Sequence, residues 1–289
     1  MVQIALNLLM YGRYEHGRAV IESLLREGAE HVTIYLDQPG NAKVEREQMR
    51  ILDYLDNLPD GFHTLVRPSE RLGLARSVRS AMQRSFEAYD AAILLEDDCV
   101  LRPGGLAFFT EGLKQFSENR RIRSLCGYLF PGCDFFFGPE DELLMLQRFS
   151  TWGWATWANR WRDYEADLKK VVDRFSERNL SIELFAEDMA YLARREDFLE
   201  GRKDIWSVPW ILEHYLSSSF AIYPRESVIE NIGLDGSGQN CAPTSAFSLK
   251  QPERRLSFTR WSPLPYYIEN EAIVKQYMDE HGLKTYPTD

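Results

Sequence analysis

Hydrophobic and polar positions along the first hundred residues predict strands and helices in turn. Short apolar runs rich in β-branched and aromatic residues predict strands, and apolar residues three or four apart predict helices. The predicted strands cover residues 3–11, 31–36, 63–66 and 91–95, and the predicted helices cover residues 18–26, 42–55 and 74–86. Regular alternation of this kind is typical of an α/β fold with a mostly parallel sheet and helices on both faces.

The pattern is weaker after residue 105. It predicts helices over residues 106–116, 176–201 and 206–217 and a short strand over 220–223. Residues 231–240 hold three glycines among polar residues, which is typical either of a mobile loop that closes over a substrate or of an ordinary connector. We interpret residues 242–289 as a C-terminal extension that packs on the domain or on a partner chain.

Composition limits the class of protein. With 289 residues, 44% of them hydrophobic, the chain can bury one large core. A net charge of −10 argues against a nucleic-acid partner, which would require a basic surface. No apolar run is long enough to span a bilayer, and the four cysteines have neither CxxC nor zinc-site spacing. These features favour a cytoplasmic globular protein.

Three adjacent acids, Glu96, Asp97 and Asp98, directly follow the predicted strand at 91–95. Ligands of α/β sheets bind beyond the carboxyl ends of the strands, and carboxylates are the ligands that Mg²⁺ and Mn²⁺ prefer. The alternative is that the acids only solvate a turn. Neither a GxxxxGK[ST] loop nor a GxGxxG motif follows the first strand, so a P-loop enzyme and a dinucleotide dehydrogenase are not supported.

The acidic triplet fits a nucleotide-diphosphate ligand whose charge is neutralised by a divalent cation. Asp98 would then supply the carboxylate that holds the cation. Glu96 and Asp97 would orient metal-bound water, the ribose or hydroxyls of a transferred group.

Residues 148–161 are dense in tryptophan, and Gly153 separates Trp152 from Trp154. Such tryptophans pack a core in most proteins, but a glycine-interrupted aromatic segment also suits a wall on which a sugar or base stacks. For sugar transfer, a carboxylate must remove a proton from the acceptor hydroxyl. Asp204, at the start of a predicted helix, is the first candidate for this base, with Glu213 and Asp188 as alternatives, although an acid at a helix start also serves as a cap.

An ordered set of motifs resembles bacterial GT-A glycosyltransferases, which are in turn similar to the animal N-acetylglucosaminyltransferase I family. The resemblance covers about residues 3–241. The motifs are Tyr11-Gly-Arg-Tyr-Glu-His16, Leu36-Asp-Gln-Pro39, Arg71-Leu-Gly-Leu74, Leu95-Glu-Asp-Asp98, Gly153-Trp-Ala-Thr-Trp157 and Asn231-Ile-Gly-Leu-Asp-Gly-Ser-Gly238. One departure is Gly238-Gln-Asn240, where related sequences often carry a histidine.

The resemblance implies a Rossmann-like GT-A fold with a nucleotide-sugar half over residues 1–105, an acceptor half over 106–241 and an extension over 242–289. It implies an inverting, single-displacement glycosyltransferase that depends on Mn²⁺ or Mg²⁺. The donor would be a UDP-sugar and the acceptor a hydroxyl of a glycan or glycoconjugate. Peripheral association with the inner face of a membrane and a homodimer through residues 242–289 stay open.

The same resemblance assigns residues to roles. Tyr11, Arg13, Asp37 and Arg71 would bind the nucleotide, with Asp37 suited to hydrogen-bond a uracil. Glu96 and Asp97 would contact the ribose, the donor sugar or metal-bound water, and Asp98 would hold the metal. Trp152, Gly153 and Trp154 would border the donor sugar and the acceptor, and Asp204 falls near the family's catalytic aspartate.

Two other functions remain alternatives. A sugar nucleotidyltransferase shares the sheet and the metal, but it should carry a glycine-rich basic loop after the first strand, where this chain has Tyr11-Gly-Arg-Tyr14. A non-catalytic carbohydrate-binding protein could be built on a decayed transferase fold. The intact acidic triplet argues against the second alternative.

Overall fold

The computed structural model of the chain describes residues 2–130, 133, 137–182, 193–203, 205–237, 243–245, 247–249 and 254–263. Its strands are β1 (Ile4–Met10), β2 (Val32–Leu36), β3 (His63–Val66), β4 (Ala91–Glu96), β5 (Cys99–Leu101), β6 (Ile122–Cys126), β7 (Leu143–Leu146), β8 (Trp154–Trp157), β9 (Phe220–Pro224) and β10 (Ile229–Asn231). Its helices are α1 (Tyr14–Arg26), α2 (Ala42–Leu55), α3 (Leu74–Ser85), α4 (Gly105–Gln115), α5 (Ala158–Trp161), α6 (Leu168–Glu177), α7 (Glu196–Leu199) and α8 (Ser207–Leu216).

The central sheet has eight strands in the order β3-β2-β1-β4-β8-β6-β9-β7. Strands β3, β2, β1 and β4 are parallel neighbours, whereas β8 lies antiparallel between β4 and β6. Strand β9 runs parallel to β6, and β7 runs antiparallel to β9 at the edge. The prediction of a mostly parallel α/β sheet is therefore confirmed.

Helices cover both faces of the parallel half. Side chains alternate between the two faces of a strand, so Asn7 and Met10 of β1 point to opposite faces. Asn7 accepts a hydrogen bond from Ser85 of α3 at 3.1 Å. A Cβ atom added to Gly17 of α1 would lie 2.1 Å from Met10 Cε. Helices α1 and α3 thus pack on opposite faces, as right-handed crossovers require when the chain reverses direction after β3.

The segment from Trp152 to Trp161 contributes mainly to the core. Trp154 is fully buried in β8, and its ring stacks on Trp206 with the ring centroids 5.1 Å apart. Trp161 lies between Trp154 and Trp210, at centroid distances of 5.7 and 4.9 Å. This aromatic cluster joins the antiparallel strand β8 to α8.

The prediction of a helix over residues 176–201 is wrong at both described ends: most of α6 precedes residue 176, and near the other end only Glu196–Leu199 form a separate helix, α7. Helix α6 begins at Leu168, where the side chain of Asp167 accepts hydrogen bonds from two backbone amides and caps the helix. It ends at Glu177. The helix does not continue, because Asn179 has a φ of +52°, which lies outside the right-handed helical region. Residues 183–192 lie outside the described part of the chain.

The described residues 254–263 pack against α4. The backbone amide of Leu256 donates to the Pro103 carbonyl at 2.8 Å. The rings of Phe258 and Trp261 lie with centroids 5.1 and 6.2 Å from that of Phe108. Among all the helices described, none combines the length and the apolar character that a membrane crossing demands.

A buried histidine network yields a prediction about pH. His214 is fully buried in α8; its Nδ1 donates to the Trp210 carbonyl at 2.8 Å, and its Nε2 lies 3.1 Å from Ser124 Oγ. Burial, followed by the charge of Arg123, lowers the pKa of His214 to about 3. The unfolded chain takes up a proton below about pH 6.5, whereas the folded protein does not, so stability falls as the pH drops from about 6.5 toward 3.

We expect His214 to lower the unfolding free energy by about 1.4 kcal/mol for each pH unit below pH 6. Urea denaturation of wild type and His214→Gln at pH 7, 6 and 5 measures this contribution, because the glutamine does not titrate. The wild type should lose stability more steeply than the variant. Equal slopes would show that His214 titrates normally in the folded protein.

Candidate functional site

The carboxyl ends of three neighbouring strands bring the predicted donor residues to one edge of the sheet. Leu9 of β1 lies opposite Glu96 of β4, and Met10 lies opposite Leu36 of β2. The next residues along the chain therefore leave the sheet side by side. They are Tyr11 and Arg13 after β1, Asp37 after β2, and Asp97 and Asp98 after β4.

Arg13, which follows β1, forms ion pairs with the two aspartates that follow β4. It lies in the three-residue connection between β1 and α1, and its Nη2 donates to both Asp97 and Asp98, the latter at 2.8 Å. The three side chains are 21%, 8% and 15% exposed, so water screens the pairs only in part. Hydrogen bonds between charged partners at this burial are stronger than those between neutral groups.

The acidic triplet carries more negative charge than Arg13 can balance. Burial, then Asp98 and Asp97, raises the pKa of Glu96 to about 8. Burial also raises the pKa of Asp97, although Arg13 opposes the shift. Burial alone would lower the pKa of Arg13, but the two aspartates together raise it above its ordinary value. An additional positive charge is therefore favoured at this position.

The oxygen donors of the triplet fit a hard divalent cation. Within the described residues, no group of three or more His, Cys, Asp or Glu side chains is arranged to hold a metal ion by itself. Mg²⁺ and similar ions need only one or two carboxylates when phosphates supply further ligands. Asp98 is the candidate ligand, while Glu96 and Asp97 adjoin it.

Asp37 organises the turn after β3 that carries Arg71. Its two carboxylate oxygens accept hydrogen bonds from the backbone amides of Leu72 and Gly73, each at 2.8 Å. This turn places the Arg71 guanidinium over the ring of Tyr11, with Cζ 5.4 Å from the ring centroid. Asp37 is 7% exposed, and the structure thus shows it as a buried anchor of the turn. Its contact with a uracil stays a prediction.

Gln48 is a site residue that the sequence reasoning missed. Its Nε2 donates to the backbone carbonyls of Tyr11, at 2.8 Å, and of Asp37, at 2.7 Å. The Oε1 of Gln48 accepts from Arg67 at 3.2 Å. A polar residue between Val44 and Ile51 on the apolar face of α2 was the available signal. Gln48 ties the ends of β1 and β2 together.

The glycine-containing loop after β10 returns to the acidic triplet. Strand β10 pairs with β5, and the amide of Ile232 donates to the Asp98 carbonyl at 2.9 Å. A Cβ atom added to Gly233 would lie 2.2 Å from Asp98 Oδ2 and 2.8 Å from Arg13 Nη1, so only glycine allows the backbone this close. Further along, Asp235 pairs with His16 of α1 at 3.2 Å.

The turn Trp152-Gly153-Trp154 divides between surface and core. Gly153 has a φ of +62°, and its carbonyl accepts from the Gly127 amide at 2.8 Å. Trp152 is half-buried, and its ring contacts Tyr128 with a centroid distance of 4.6 Å. Trp154 is fully buried, so its side chain packs the core. Of the two tryptophans, Trp152 is the one with surface left to meet a ligand.

Of the three candidate bases, the structure describes only Glu213. Asp204 and Asp188 lie outside the described residues. Glu213 is only 1% exposed and forms an ion pair with Arg174 of α6. Burial, opposed by Arg174, raises the pKa of Glu213. Glu213 therefore anchors α8 to α6.

No protein-family model and no curated protein matches the chain. A mannosyltransferase from Pyrobaculum calidifontis in complex with GDP-Man and Mn²⁺ is similar at 10% identity over 74% of this chain and 69% of its own, with a TM-score of 0.44. GalNAc-T7 with UDP, GalNAc and Mn²⁺ is similar at 10% identity over 78% of this chain and 43% of its own, with a TM-score of 0.45.

An apo UDP-glucose pyrophosphorylase is similar at 9% identity over 76% of this chain and 90% of its own, with a TM-score of 0.40. Because each TM-score is below 0.5 and each identity near a tenth, no functional argument rests on these likenesses.

The position of Gln48 yields a prediction about stability. Gln48→Leu leaves the buried carbonyls of Tyr11 and Asp37 without their donor, and an unsatisfied buried polar group costs about 1–3 kcal/mol. We expect the unfolding free energy to fall by about 2–4 kcal/mol in urea denaturation. Gln83→Leu, an exposed position in α3, is the matched control and should change little. A loss of stability no larger than in the control would remove Gln48 from this role.

Proposed function

We propose that this protein is a metal-dependent GT-A glycosyltransferase that moves a sugar from a nucleotide-diphosphate sugar, a UDP-sugar, to a hydroxyl of a glycan or glycoconjugate. One observation carries the proposal: Arg13 and the acidic triplet lie at the same sheet edge as the Tyr11–Arg71 pair. A diphosphate flanked by a sugar and a base requires both charge neutralisation and a stacking surface. This edge provides both.

The donor residues divide the work by their chemistry. The guanidinium of Arg71 lies over the ring of Tyr11, and either flat group could stack on a base; Asp37 fixes the turn that holds Arg71. Asp98 would hold a divalent cation, with Glu96 and Asp97 orienting hydroxyls or water around it. Mn²⁺ or Mg²⁺, when bound, supplies charge that stabilises the leaving diphosphate.

Transfer with inversion in a single displacement requires one base on the acceptor side. We assign this role to Asp204, with Asp188 as the alternative, because Glu213 is engaged by Arg174. The half-buried ring of Trp152 would offer a stacking surface for a sugar. A cytoplasmic location and membership in a bacterial family similar to N-acetylglucosaminyltransferase I belong to the same proposal.

A sugar nucleotidyltransferase is the second candidate, and the connection between β1 and α1 argues against it. This connection spans only residues 11–13, with a single glycine. A loop that wraps a nucleoside triphosphate through its backbone amides would need more residues. Incubation with a sugar 1-phosphate and UTP should therefore release no pyrophosphate.

Asp98→Asn tests the donor site directly. The amide keeps the size of the side chain but loses the charge that holds a cation, so Mn²⁺-dependent release of UDP from UDP-sugars should fall at least 100-fold. Asp60→Asn, on the exposed turn before β3, controls for loss of a negative charge and should keep full activity. Metal-dependent turnover by Asp98→Asn at the wild-type rate would refute the assignment.

Asp204→Asn tests the acceptor side. We expect the variant to bind UDP and Mn²⁺ with wild-type affinity in calorimetry and to lose sugar transfer at least 100-fold, since only the base is removed. Asp188→Asn is the paired variant. If Asp204→Asn transfers sugar normally and Asp188→Asn does not, the base is Asp188.

A further inference from the structure

The Arg13 guanidinium uses only one of its two terminal nitrogens, Nη2, to donate hydrogen bonds to the acidic triplet. Its Nη2 donates to Asp97 and Asp98, but its Nη1 is buried and has no hydrogen-bond partner among the described residues. A buried donor on a charged group costs stability unless it is paired. Within the described part of the chain, Arg13 is therefore held by two aspartates, and its Nη1 lacks an acceptor.

The backbone at Gly233 lies over the Nη1 atom of Arg13. A Cβ atom there would lie 2.8 Å from Arg13 Nη1, and the Gly233 amide is turned back to Asn231 Oδ1 at 2.8 Å. The antiparallel pairing of Asn231 with Cys99 fixes the start of this loop next to Asp98. The loop restricts how far the guanidinium can move from the aspartates.

A divalent cation at Asp98 would compete with Arg13 for the same carboxylate oxygens. Asp98 Oδ2 already accepts from Arg13, and two positive groups a few Å apart repel strongly where water is excluded. The cation can bind well only if Arg13 finds another anion. The guanidinium fork matches phosphate oxygens as well as it matches carboxylates.

We propose that Arg13 is an internal counter-cation that couples divalent-cation binding to nucleoside-diphosphate binding. In the absence of ligand it neutralises Asp97 and Asp98; a diphosphate takes over its hydrogen bonds and frees Asp98 for the cation. Each ligand therefore raises the affinity of the other, as reciprocal linkage requires. The inference rests on the proposed function and adds a regulatory role for a residue of its donor site.

Calorimetric titration with Mn²⁺, in the absence and presence of saturating UDP, tests the coupling. Arg13→Met removes the competing charge, so Mn²⁺ alone should bind at least tenfold more tightly than to wild type. The ratio of the Mn²⁺ dissociation constants without and with UDP should fall at least tenfold in the variant. Arg18→Met is the matched control, because Arg18 lies on α1, is 44% exposed and pairs with Glu22 instead.

Two further variants keep the test decisive. Arg13→Gln is a second uncharged form, used if circular dichroism shows that Arg13→Met is unfolded. Arg13→Lys retains the charge and should bind Mn²⁺ alone as weakly as wild type. If Mn²⁺ alone binds the folded uncharged variants no more tightly than wild type, the counter-cation role is overturned.

The outcome also separates this inference from the proposed function. Tight Mn²⁺ binding to wild type with UDP, together with an unchanged coupling ratio in Arg13→Met, would overturn the inference and leave the transferase proposal standing. If wild type binds no Mn²⁺ even with UDP present, the proposed function fails, and the inference fails with it.

Discussion

The ion pairs that Arg13 makes with Asp97 and Asp98 balance the charge on which the rest of the site depends. Strand β4 delivers three carboxyl groups to a partly buried position, where burial, and then the charges of Asp98 and Asp97, raise the pKa of Glu96. A single guanidinium offsets part of this charge. The remaining excess of negative charge favours a cation at this edge, and in the proposed function that cation would hold the diphosphate.

The topology of the sheet determines that these groups meet. Strands β1 and β4 are neighbours because the chain turns back after β3 and crosses the sheet in the opposite direction. Ligands of open α/β sheets bind at such points of reversal. Gln48 then joins the connections after β1 and β2, because its side-chain amide donates to the carbonyls of Tyr11 and Asp37.

Local sequence predicted the elements from β1 to β4, although α1 begins at Tyr14 and not at residue 18, and it also predicted α4, α8 and β9. It did not predict the rest of the sheet. The predicted helix at 42–55 and the strand at 63–66 match α2 and β3, since each has a clear period and turn residues at its ends. The insertion of β8 between β4 and β6 was not predicted, because pairing between distant strands leaves no local pattern. Strands β5 and β10 have three residues each, too few for a period to be visible.

In the site too, local sequence predicts some features, whereas others depend on the pairing of distant strands. The acidic triplet and Arg13 could be predicted from the ends of apolar runs, but the ion pairs between them depend on which strands are neighbours. The closeness of Gly233 to Asp98 also depends on the pairing of β10 with β5 across about 130 residues of chain. For Trp154 the resemblance implies a ligand contact, whereas the structure buries its side chain fully in the core; sequence alone cannot show which face of a strand points inward.

A crystal structure of the protein with UDP and Mn²⁺, with anomalous diffraction data collected at the manganese edge, would locate both ligands. We expect one anomalous peak at coordination distance from an Asp98 carboxylate oxygen and from the diphosphate, with the base against Tyr11 and Arg71. An anomalous peak remote from Asp98, or UDP bound away from the ends of β1 and β4, would contradict this expectation.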